Sequence, residues 1–287
     1  CSSDLTERPL GLEKEVVVPD SVKAYALLCH NFFGRPAEKL RLVAVTGTNG
    51  KTTVTFVLKQ ILERAGYRCG LIGTIRSEVD KMEIPAKFTT PEPWDLDALF
   101  SRMVGAGCTF ALLEASSQAL AQLRLYGLQF EVGAFTNLTQ DHLDYHKTME
   151  NYYAAKRSLF DQTKTAVINL DDPYGERLIK EIPEQQVVRY STSLDEAEIT
   201  AKNVELRAGG VQFEMVGRDF IQRVKFPMPG SYSAHNALCA GGAALALGIA
   251  PEIVAEGLTN SSGVRGRCEV LYSKKFTVIC DFAHTAD

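Results

Sequence analysis

The sequence contains the stretch Leu42-Val43-Ala44-Val45-Thr46-Gly47-Thr48-Asn49-Gly50-Lys51-Thr52-Thr53, in which a short apolar run ends in a tight, glycine-containing loop. The β-branched residues of the run predict a strand, and the amphipathic segment from Thr52 to about Gly66 predicts a helix. A loop at a helix N-terminus points backbone N–H groups at an anion, and the helix dipole favours negative charge there. Lys51 can reach a terminal phosphate, and the Thr52 hydroxyl can ligate Mg²⁺. The stretch therefore predicts a nucleotide-phosphate site.

The spacing of this loop departs from the usual pattern G-x-x-x-x-G-K-[ST]. The pattern has a glycine where this chain has Val45, and Gly47 comes two residues later. The alternative is an ordinary strand-to-helix turn with a solvated lysine. Because a strand precedes the loop and a helix follows it, we favour nucleotide binding.

The composition is typical of a globular protein, with 287 residues of which 45% are hydrophobic and 23% charged. The net charge of −4 creates no overall basic field, so we expect no nucleic-acid partner. The seven cysteines include no C-x-x-C pair, which favours reduced thiols over a disulfide framework or a zinc site. No apolar run reaches the ~20 residues that cross a bilayer, and no signal segment begins the chain, so we expect a cytoplasmic protein without a membrane partner.

Strands and helices alternate from residue 41 onwards, which predicts an α/β fold with a mostly parallel sheet flanked by helices. A strand begins at Arg41, and further strands are predicted at 69–74, 109–113, 132–136 and 166–170, with helices at about 95–104 and 149–160. Between residues 187 and 229, short alternating runs predict a small antiparallel β insert or edge. Helices at about 234–247 and 251–258 and strands at 269–272 and 276–280 complete the chain. Residues 1–40, with a strand at 15–18 and a helix ending near Phe33, are too few for a domain.

Ligands of such sheets bind at the carboxyl ends of the strands, and several polar residues follow predicted strands. Glu114 ends the run 110–113 and offers the hard oxygen that Mg²⁺ prefers; a helix-capping or surface glutamate is the alternative. The run 135–146 concentrates Asn, Asp and His, which bind metals or bases, although it can equally be a capped turn with solvated histidines.

Two other groups of residues have open interpretations. The helical spacing around Lys156 gives no reason to treat this lysine as anything but solvated. Ser116 and Ser117, with Gln122 and Arg124, can present hydroxyls and a guanidinium to an anionic substrate. A helix N-cap and an exposed arginine explain the same residues equally well.

Taken together, six ordered motifs resemble the Mur ligases, and most closely the UDP-N-acetylmuramoyl-L-alanyl-D-glutamate ligases of MurE type. The motifs are residues 46–53, Thr89-Thr90-Pro91, Glu114-Ala115-Ser116-Ser117, residues 141–146, Ala155-Lys156 and Asp281-Phe282-Ala283-His284-Thr285. The resemblance covers about residues 22–287 and explains the shifted Gly47, because the loop of this family has that spacing. The chain departs from the family pattern at Gln118 (usually His), Ser233 (often Asn) and Phe282 (commonly Tyr).

The resemblance implies the central ATPase domain of an ATP-dependent amide ligase of peptidoglycan synthesis. Such a ligase phosphorylates the D-glutamyl carboxylate of UDP-MurNAc-L-Ala-D-Glu, and a diamino acid, diaminopimelate or lysine, then attacks the acyl phosphate. Residues 1–40 would be the remnant of an N-terminal UDP-binding domain and its linker, and residues 41–287 the central ATP-binding domain. We expect the C-terminal amino-acid-binding domain to be absent, the isolated chain to be inactive in ligation, and the protein to be a monomer.

The resemblance also assigns roles by position. Lys51, His142 and Lys156 would be catalytic, and Lys156 would be carbamylated so that its new carboxylate holds a second Mg²⁺ near His142. Thr52 and Glu114 would hold the first Mg²⁺. The ATP-binding residues would be Gly47, Thr48, Asn49, Gly50, Lys51, Thr52 and Thr53 at the phosphates, and Asn137, Asn236, Arg267, Asp281 and His284 around the adenosine. The UDP-sugar peptide would contact Thr89, Thr90, Ser116, Gln122 and Arg124.

Two alternatives remain beside this interpretation. A ligase similar to folylpolyglutamate synthetase shares the phosphate loop and the lysine, but residues 89–91 and 116–117 argue against it. The second alternative is a non-catalytic ATP-binding module. The presence of all four expected residues argues against this alternative: Lys51, Glu114, His142 and Lys156.

Overall fold

A computed structural model describes residues 4–183 and 187–283 of the chain. Most of its strands belong to one sheet. Within these residues eleven strands form that sheet, and two strand pairs lie outside it. In chain order the elements are β1 (Asp4–Thr6), β2 (Glu15–Val17), α1 (Ser21–Phe32), β3 (Arg41–Thr46), α2 (Lys51–Arg64), β4 (Cys69–Ile72), β5 (Arg76–Val79), β6 (Met82–Pro85), α3 (Pro93–Gly105), β7 (Phe110–Glu114), α4 (Ser117–Ala121), β8 (Phe130–Phe135), α5 (Leu143–His146), α6 (Met149–Arg157), β9 (Thr163–Asn169), α7 (Pro173–Glu181), β10 (Val187–Ser191), β11 (Ile199–Arg207), β12 (Gly210–Val216), β13 (Ile221–Phe226), α8 (Tyr232–Ala246), α9 (Pro251–Thr259), β14 (Glu269–Ser273) and β15 (Thr277–Cys280).

The sheet has the strand order β13-β12-β11-β10-β9-β8-β3-β7-β4-β5-β6. The strands from β11 to β4 in this order pair in parallel, while β11-β12-β13 at one end and β4-β5-β6 at the other pair antiparallel. The expected fold class, a mostly parallel sheet with a small antiparallel part, is confirmed. The antiparallel strands extend the main sheet as its edges.

Strand β3 lies in the interior of the sheet, between β7 and β8. Its side chains alternate between two hydrophobic cores, with Val43 and Val45 on one face and Leu42 and Ala44 on the other. Helices α2, α8 and α9 cover the first face, and α3 and α6 cover the second. A continuous apolar run is what a parallel strand buried on both faces requires. This burial fixes the position of the loop that follows β3.

The structure corrects three parts of the sequence-based prediction. The segment before Phe88 contains the hairpin β5–β6, whose charged residues gave no strand signal. Strand β10 was included in the antiparallel region, which is wrong, because it pairs in parallel with both β9 and β11. Helix α7 was not predicted, although Asp172 accepts hydrogen bonds at its N-cap and Pro173 occupies its first turn. No described helix is long and apolar enough to cross a membrane.

The N-terminal helix α1 is fastened to the sheet domain through His30. Its Nδ1 lies 2.7 Å from a carboxylate oxygen of Asp97 in α3, and its Nε2 lies 2.9 Å from the carbonyl oxygen of Tyr126. Burial alone would favour the neutral ring, but the hydrogen bonds to Asp97 and Tyr126 raise the pKa of His30 above its usual value. Both ring nitrogens face acceptors, so the imidazolium form satisfies this site best.

We expect the pairing of His30 with Asp97 to stabilise the protein most at acidic to neutral pH. Because the folded-state pKa is raised, the contribution is complete below the unfolded pKa of about 6.5 and is lost as the pH rises through the folded pKa. Replacing His30→Leu leaves Asp97 buried without its partner and should lower the free energy of unfolding by about 3 kcal/mol at pH 6. Urea unfolding at several pH values measures both effects.

The variant Asp97→Asn is the companion for this experiment, because it removes the charge from the other side of the pair. In the wild type we expect the free energy of unfolding to decrease as the pH rises above about 6.5, because the pair loses its charge. Both variants should lack this decrease. If wild type and His30→Leu show the same dependence of stability on pH, the histidine does not carry this charge in the folded state.

Candidate active site

Two glycines shape the loop at the carboxyl end of β3. Gly47 has φ +147° and Gly50 has φ +91°, conformations that favour glycine. A Cβ at Gly47 would overlap the Thr136 hydroxyl, and one at Gly50 would overlap the Asn236 carboxamide. Gly47 therefore allows the loop to lie directly against the end of β8.

Residues after β8 hold the same loop by hydrogen bonds. The Asn137 side chain accepts from the Asn49 N–H at 2.9 Å and donates to the Asn49 carbonyl at 3.2 Å. The Thr136 hydroxyl donates to the same carbonyl at 2.6 Å, and the Asn137 carbonyl accepts from the Thr48 N–H at 2.9 Å. Helix α2 then begins at Lys51 without a side-chain cap. The loop is thus fixed in place at an uncapped helix N-terminus, the arrangement that binds anions.

Two lysines donate to one carbonyl oxygen of this loop. The Lys51 ammonium lies 2.9 Å from the Gly47 oxygen and 2.8 Å from the Thr48 oxygen, and the Lys156 nitrogen lies 2.7 Å from the Gly47 oxygen. Lys156 is 1% exposed, so the interpretation of this residue as a solvated lysine is wrong. Burial first, and the charge of Lys51 second, hold the pKa of Lys156 well below its usual range. Burial also lowers the pKa of Lys51.

Glu114 forms a buried oxygen site beside the loop. One carboxylate oxygen accepts from the hydroxyls of Thr52 and Thr74, each at 2.9 Å, and the other accepts from the Thr74 N–H at 2.9 Å. The carboxylate and the Thr52 hydroxyl are hard oxygen donors at the start of a helix, a set that fits Mg²⁺. Thr74 was not among the predicted site residues, although it follows β4 at the same edge of the sheet.

The structure divides the Asn-, Asp- and His-rich run. Asp141 and His142, together with Lys156, line a cleft beside the loop, and 44% of the His142 side chain is exposed. His146 is buried, with Nε2 2.9 Å from the Ser117 hydroxyl, and takes no part in the lining. Burial lowers the pKa of His142, and the charge of Lys51 lowers it further, against the opposing effect of Asp141. Among residues 4–183 and 187–283, no group of three His, Cys, Asp or Glu side chains could hold a metal ion.

A cleft of about 530 Å³ joins these groups to most of the expected substrate residues. We call it the first cleft; Thr89, Thr90, Ser116 and Arg124 line it together with the loop, Glu114 and Lys156. The Thr90 hydroxyl bonds to the Glu114 carbonyl at 2.7 Å, and Arg124 donates to the Thr90 carbonyl at 2.9 Å. Ser116 also caps α4 by accepting from the Ala119 N–H, so the N-cap interpretation of this serine is confirmed, and its role towards a substrate stays a prediction.

Arg124 is held by neighbours on either side but keeps one unused donor. It donates to the Gln122 side chain at 2.6 Å and pairs with Glu92 at 2.9 Å, and its buried Nε has no hydrogen-bond partner. Gln122 itself is outside the lining and contacts the Tyr145 hydroxyl at 3.2 Å. Gln122 therefore orients the guanidinium, and Arg124 is the residue that faces the cleft.

A second cavity of about 310 Å³ adjoins the first cleft at the loop. Both are lined by Asn49, Gly50, Thr53, Arg267 and Phe282. The second cavity is also lined by Asn137, Asn236 and Asp281, which the sequence analysis expected around a nucleoside. Asp281 accepts from the Cys268 N–H at 2.6 Å. His284, expected in the same place, lies outside the described residues.

The sequence matches a known family over most of its length. Residues 45–244 match the Mur ligase middle domain. A relative from Clostridium acetobutylicum, UDP-N-acetylmuramoyl-L-alanyl-D-glutamate–2,6-diaminopimelate ligase 1, is 44% identical over 275 residues. This match covers 95% of the present chain and 57% of the relative. The chain thus spans a little over half the length of the curated relatives that it matches.

Solved structures are similar over nearly the whole chain. A structure of UDP-N-acetylmuramoyl-L-alanyl-D-glutamate–2,6-diaminopimelate ligase superposes with a TM-score of 0.89 at 31% identity, covering 99% of this chain and 59% of that one. Mycobacterium tuberculosis folylpolyglutamate synthase complexed with ADP gives a TM-score of 0.73 at 18% identity, covering 92% of this chain and 67% of that one. The second likeness concerns the fold alone.

Gly50 and Gly66 allow a direct test of how closely the loop is packed. Their φ values are +91° and +90°, but a Cβ at Gly66 would have no neighbour within 4 Å. Replacing either residue by alanine should cost about 1–2 kcal/mol of backbone strain. The variant Gly50→Ala must also displace the Asn236 side chain and should lose about 1 kcal/mol more.

Thermal and urea unfolding of the two variants, measured side by side, give this difference. Gly66→Ala is the control for strain without a steric neighbour. Equal losses of stability in the two variants would show that the loop has room for a side chain at Gly50.

Proposed function

The chain belongs to the Mur ligase family, and we propose that it is the central ATP-binding part of an amide ligase of peptidoglycan synthesis. Its substrates would be ATP, UDP-MurNAc-L-Ala-D-Glu and a diamino acid. The observation that carries the proposal is the meeting of Lys51, Thr52 and Glu114 at one glycine-shaped loop, between two adjoining cavities. The relatives named above favour 2,6-diaminopimelate as the diamino acid.

The two cavities suit the two ends of ATP. The second cavity would take the nucleoside between Asn137 and Asn236, and the loop would take the phosphates. Lys51 would then leave the Gly47 and Thr48 carbonyls for phosphate oxygens, which are stronger acceptors for an ammonium group. Thr52 and Glu114 would hold Mg²⁺, whose charge helps to neutralise the phosphoryl group during transfer. Because few protein ligands surround this point, phosphate oxygens and water would complete the coordination.

The first cleft suits an anionic substrate. The guanidinium of Arg124 and the hydroxyls of Thr89 and Ser116 line the cleft and are donors that can hold a carboxylate. The proposed reaction begins when the D-glutamyl carboxylate attacks the terminal phosphorus of ATP, forming an acyl phosphate and ADP. The amine of the diamino acid then attacks the acyl carbon, forming the amide and releasing phosphate. The protein's contribution is to align these groups and to place positive charge where negative charge spreads.

We propose in addition that Lys156 is carbamylated. Two ammonium groups on the Gly47 carbonyl would repel each other, and burial beside Lys51 lowers the pKa of Lys156, which favours its neutral amine. A neutral amine attacks CO₂, so that an N–C bond forms and one proton leaves to water. The product is a carbamate with one negative charge, which would pair with Lys51. Its oxygens, unlike an amine, suit a second Mg²⁺ beside His142.

The division of the chain into domains is also a proposal. We place residues 41–287 in the ATP-binding domain and residues 1–40 in the remnant of the UDP-binding domain and its linker. The single main sheet from β3 to β13 supports the first assignment. The separate pair β1–β2 and the attachment of α1 by His30 support the second. The folate-ligase alternative is weaker, because the structures that support it share 18% identity and the fold only.

Calorimetric titration of a non-hydrolysable ATP analogue with Mg²⁺ tests the nucleotide site. Replacing Lys51→Ala removes a charged donor from the loop and should weaken binding about tenfold or more. The variant Lys87→Ala is the control, since it removes the same charge from an exposed position on the first cleft. Its effect should stay within about twofold, because solvent and salt screen the exposed charge.

The same samples are then titrated with UDP-MurNAc-L-Ala-D-Glu and with a folate. Binding of the muramoyl peptide without binding of the folate supports the ligase proposed here. Absence of nucleotide binding in the wild type, or equal affinity in wild type and Lys51→Ala, would contradict the proposed phosphate site.

A further inference from the structure

Three polar residues lie at the end of β9 and directly after it. They are Asn169, Asp171 and Asp172, and only Asp171 has an appreciable exposed fraction, 14% of its side chain. None of them lines a cavity that the described residues form near the loop. Their hydrogen bonds run instead to the two segments that carry Asn137 and Asn236.

Asn169 and Asp172 fix the backbone on both sides of Asn137. The Asn169 side chain donates to the Thr136 carbonyl at 2.8 Å, and the Asp172 carboxylate accepts from the Leu138 N–H at 3.1 Å. The other oxygen of Asp172 caps α7, which holds the carboxylate in one orientation. The Asn137 side chain can therefore reach Asn49 only in the position that the end of β9 allows.

Asp171 is held by hydrogen bonds from the end of β10 and the residues that follow it. One of its oxygens accepts from the hydroxyls of Ser191 and Ser193, at 2.5 and 2.6 Å, and the other accepts from the Thr192 N–H at 2.7 Å. Burial alone would raise its pKa, but these bonds, with that from the Thr192 hydroxyl, lower the pKa of Asp171 to about 2. Asp171 is therefore a fixed anion at neutral pH.

His235 connects this anion to helix α8. Its Nε2 lies 3.0 Å from the second oxygen of Asp171 and 3.0 Å from the Thr192 hydroxyl. His235 is in the first turn of α8, directly before Asn236, and Ser231 at the N-cap of this helix makes no side-chain capping bond. The contact between His235 and Asp171 thus attaches the beginning of α8 to the sheet. The Asn236 side chain lies so close to Gly50 that a Cβ there would overlap it. Because Asn236 also lines the second cavity, a shift of the first turn of α8 would change the shape of that cavity.

We propose that Asp171 and His235 together are positioning residues for the nucleoside half of the site, acting through Asn236. The inference rests on the proposed nucleotide binding and adds a function to two residues that do not contact the ligand. It separates the site into a phosphate part, which is built on β3 and α2, and a nucleoside part, which is held by β9 and α8. A ligand that has phosphates but no nucleoside should not depend on the second part.

Calorimetry with two probes distinguishes these parts. Wild type and His235→Ala are titrated with a non-hydrolysable ATP analogue and with inorganic tripolyphosphate, each with Mg²⁺. We expect the variant to bind the ATP analogue about tenfold more weakly, as for the loss of one charged hydrogen bond, and to bind tripolyphosphate as the wild type does. The variant His235→Gln retains a side-chain donor and should recover most of the nucleotide affinity.

Ser193→Ala is the matched control, because it removes one hydrogen bond from the same carboxylate without altering the contact to α8. Its nucleotide affinity should equal that of the wild type, even if its melting temperature falls as much as that of His235→Ala. Equal weakening of both ligands in His235→Ala, or unchanged nucleotide affinity, would overturn the inference. A wild type that binds neither probe would overturn the proposed nucleotide site itself.

Discussion

Two lysine side chains donate to the carbonyl oxygen of Gly47, and the remaining features of the site depend on this contact. Lys51 belongs to the helix that starts from the loop, whereas Lys156 arrives from α6, about a hundred residues later in the chain. Gly47 itself lies against the end of β8, where a Cβ would overlap the Thr136 hydroxyl. Bringing two cations together in a buried place is unfavourable unless one loses its charge or an anion joins them. The contact therefore favours either a neutral Lys156 or an anion beside the two lysines.

The sheet explains why the other functional groups gather around this place. Parallel strands end at the same edge, so residues that follow neighbouring strands become neighbours in space. Along the edge, in the order of the strands β9, β8, β3, β7 and β4, lie Asp171, Asn137, Gly47, Glu114 and Thr74. Residues that hold the segments of Asn137 and Asn236 are at the β9 end, and hard oxygen donors of the kind that suit Mg²⁺ are at the β4 end. A single constraint, the burial of β3 on both faces, sets the register between the two ends.

Much of this arrangement could be predicted from the sequence, and the rest depends on contacts that periodicity does not reveal. The apolar run before Gly47 and the carboxylate at the end of β7 are local signals, and both predicted groups that the structure brings together at one edge of the sheet. The helical spacing around Lys156 shows a packed helix, but it does not say which polar side chain points inward. Thr74 and His235 have no local signal at all, since their roles come from partners 40 and 64 residues away. The hairpin β5–β6 escaped prediction because its strands are short and charged.

The most direct test of this account is whether Lys156 is carbamylated. Carbon-13 NMR of the protein in labelled bicarbonate near pH 8 should show a carbamate signal that disappears in Lys156→Ala. The signal should persist in Lys59→Ala, because the contacts of Lys59 with Glu63 and Glu78 outweigh its burial and raise its pKa, which keeps its ammonium group protonated. Absence of a carbamate in the wild type, or a signal that survives in Lys156→Ala, would contradict the proposal that carbamylation of Lys156 removes the repulsion between the two lysines at Gly47.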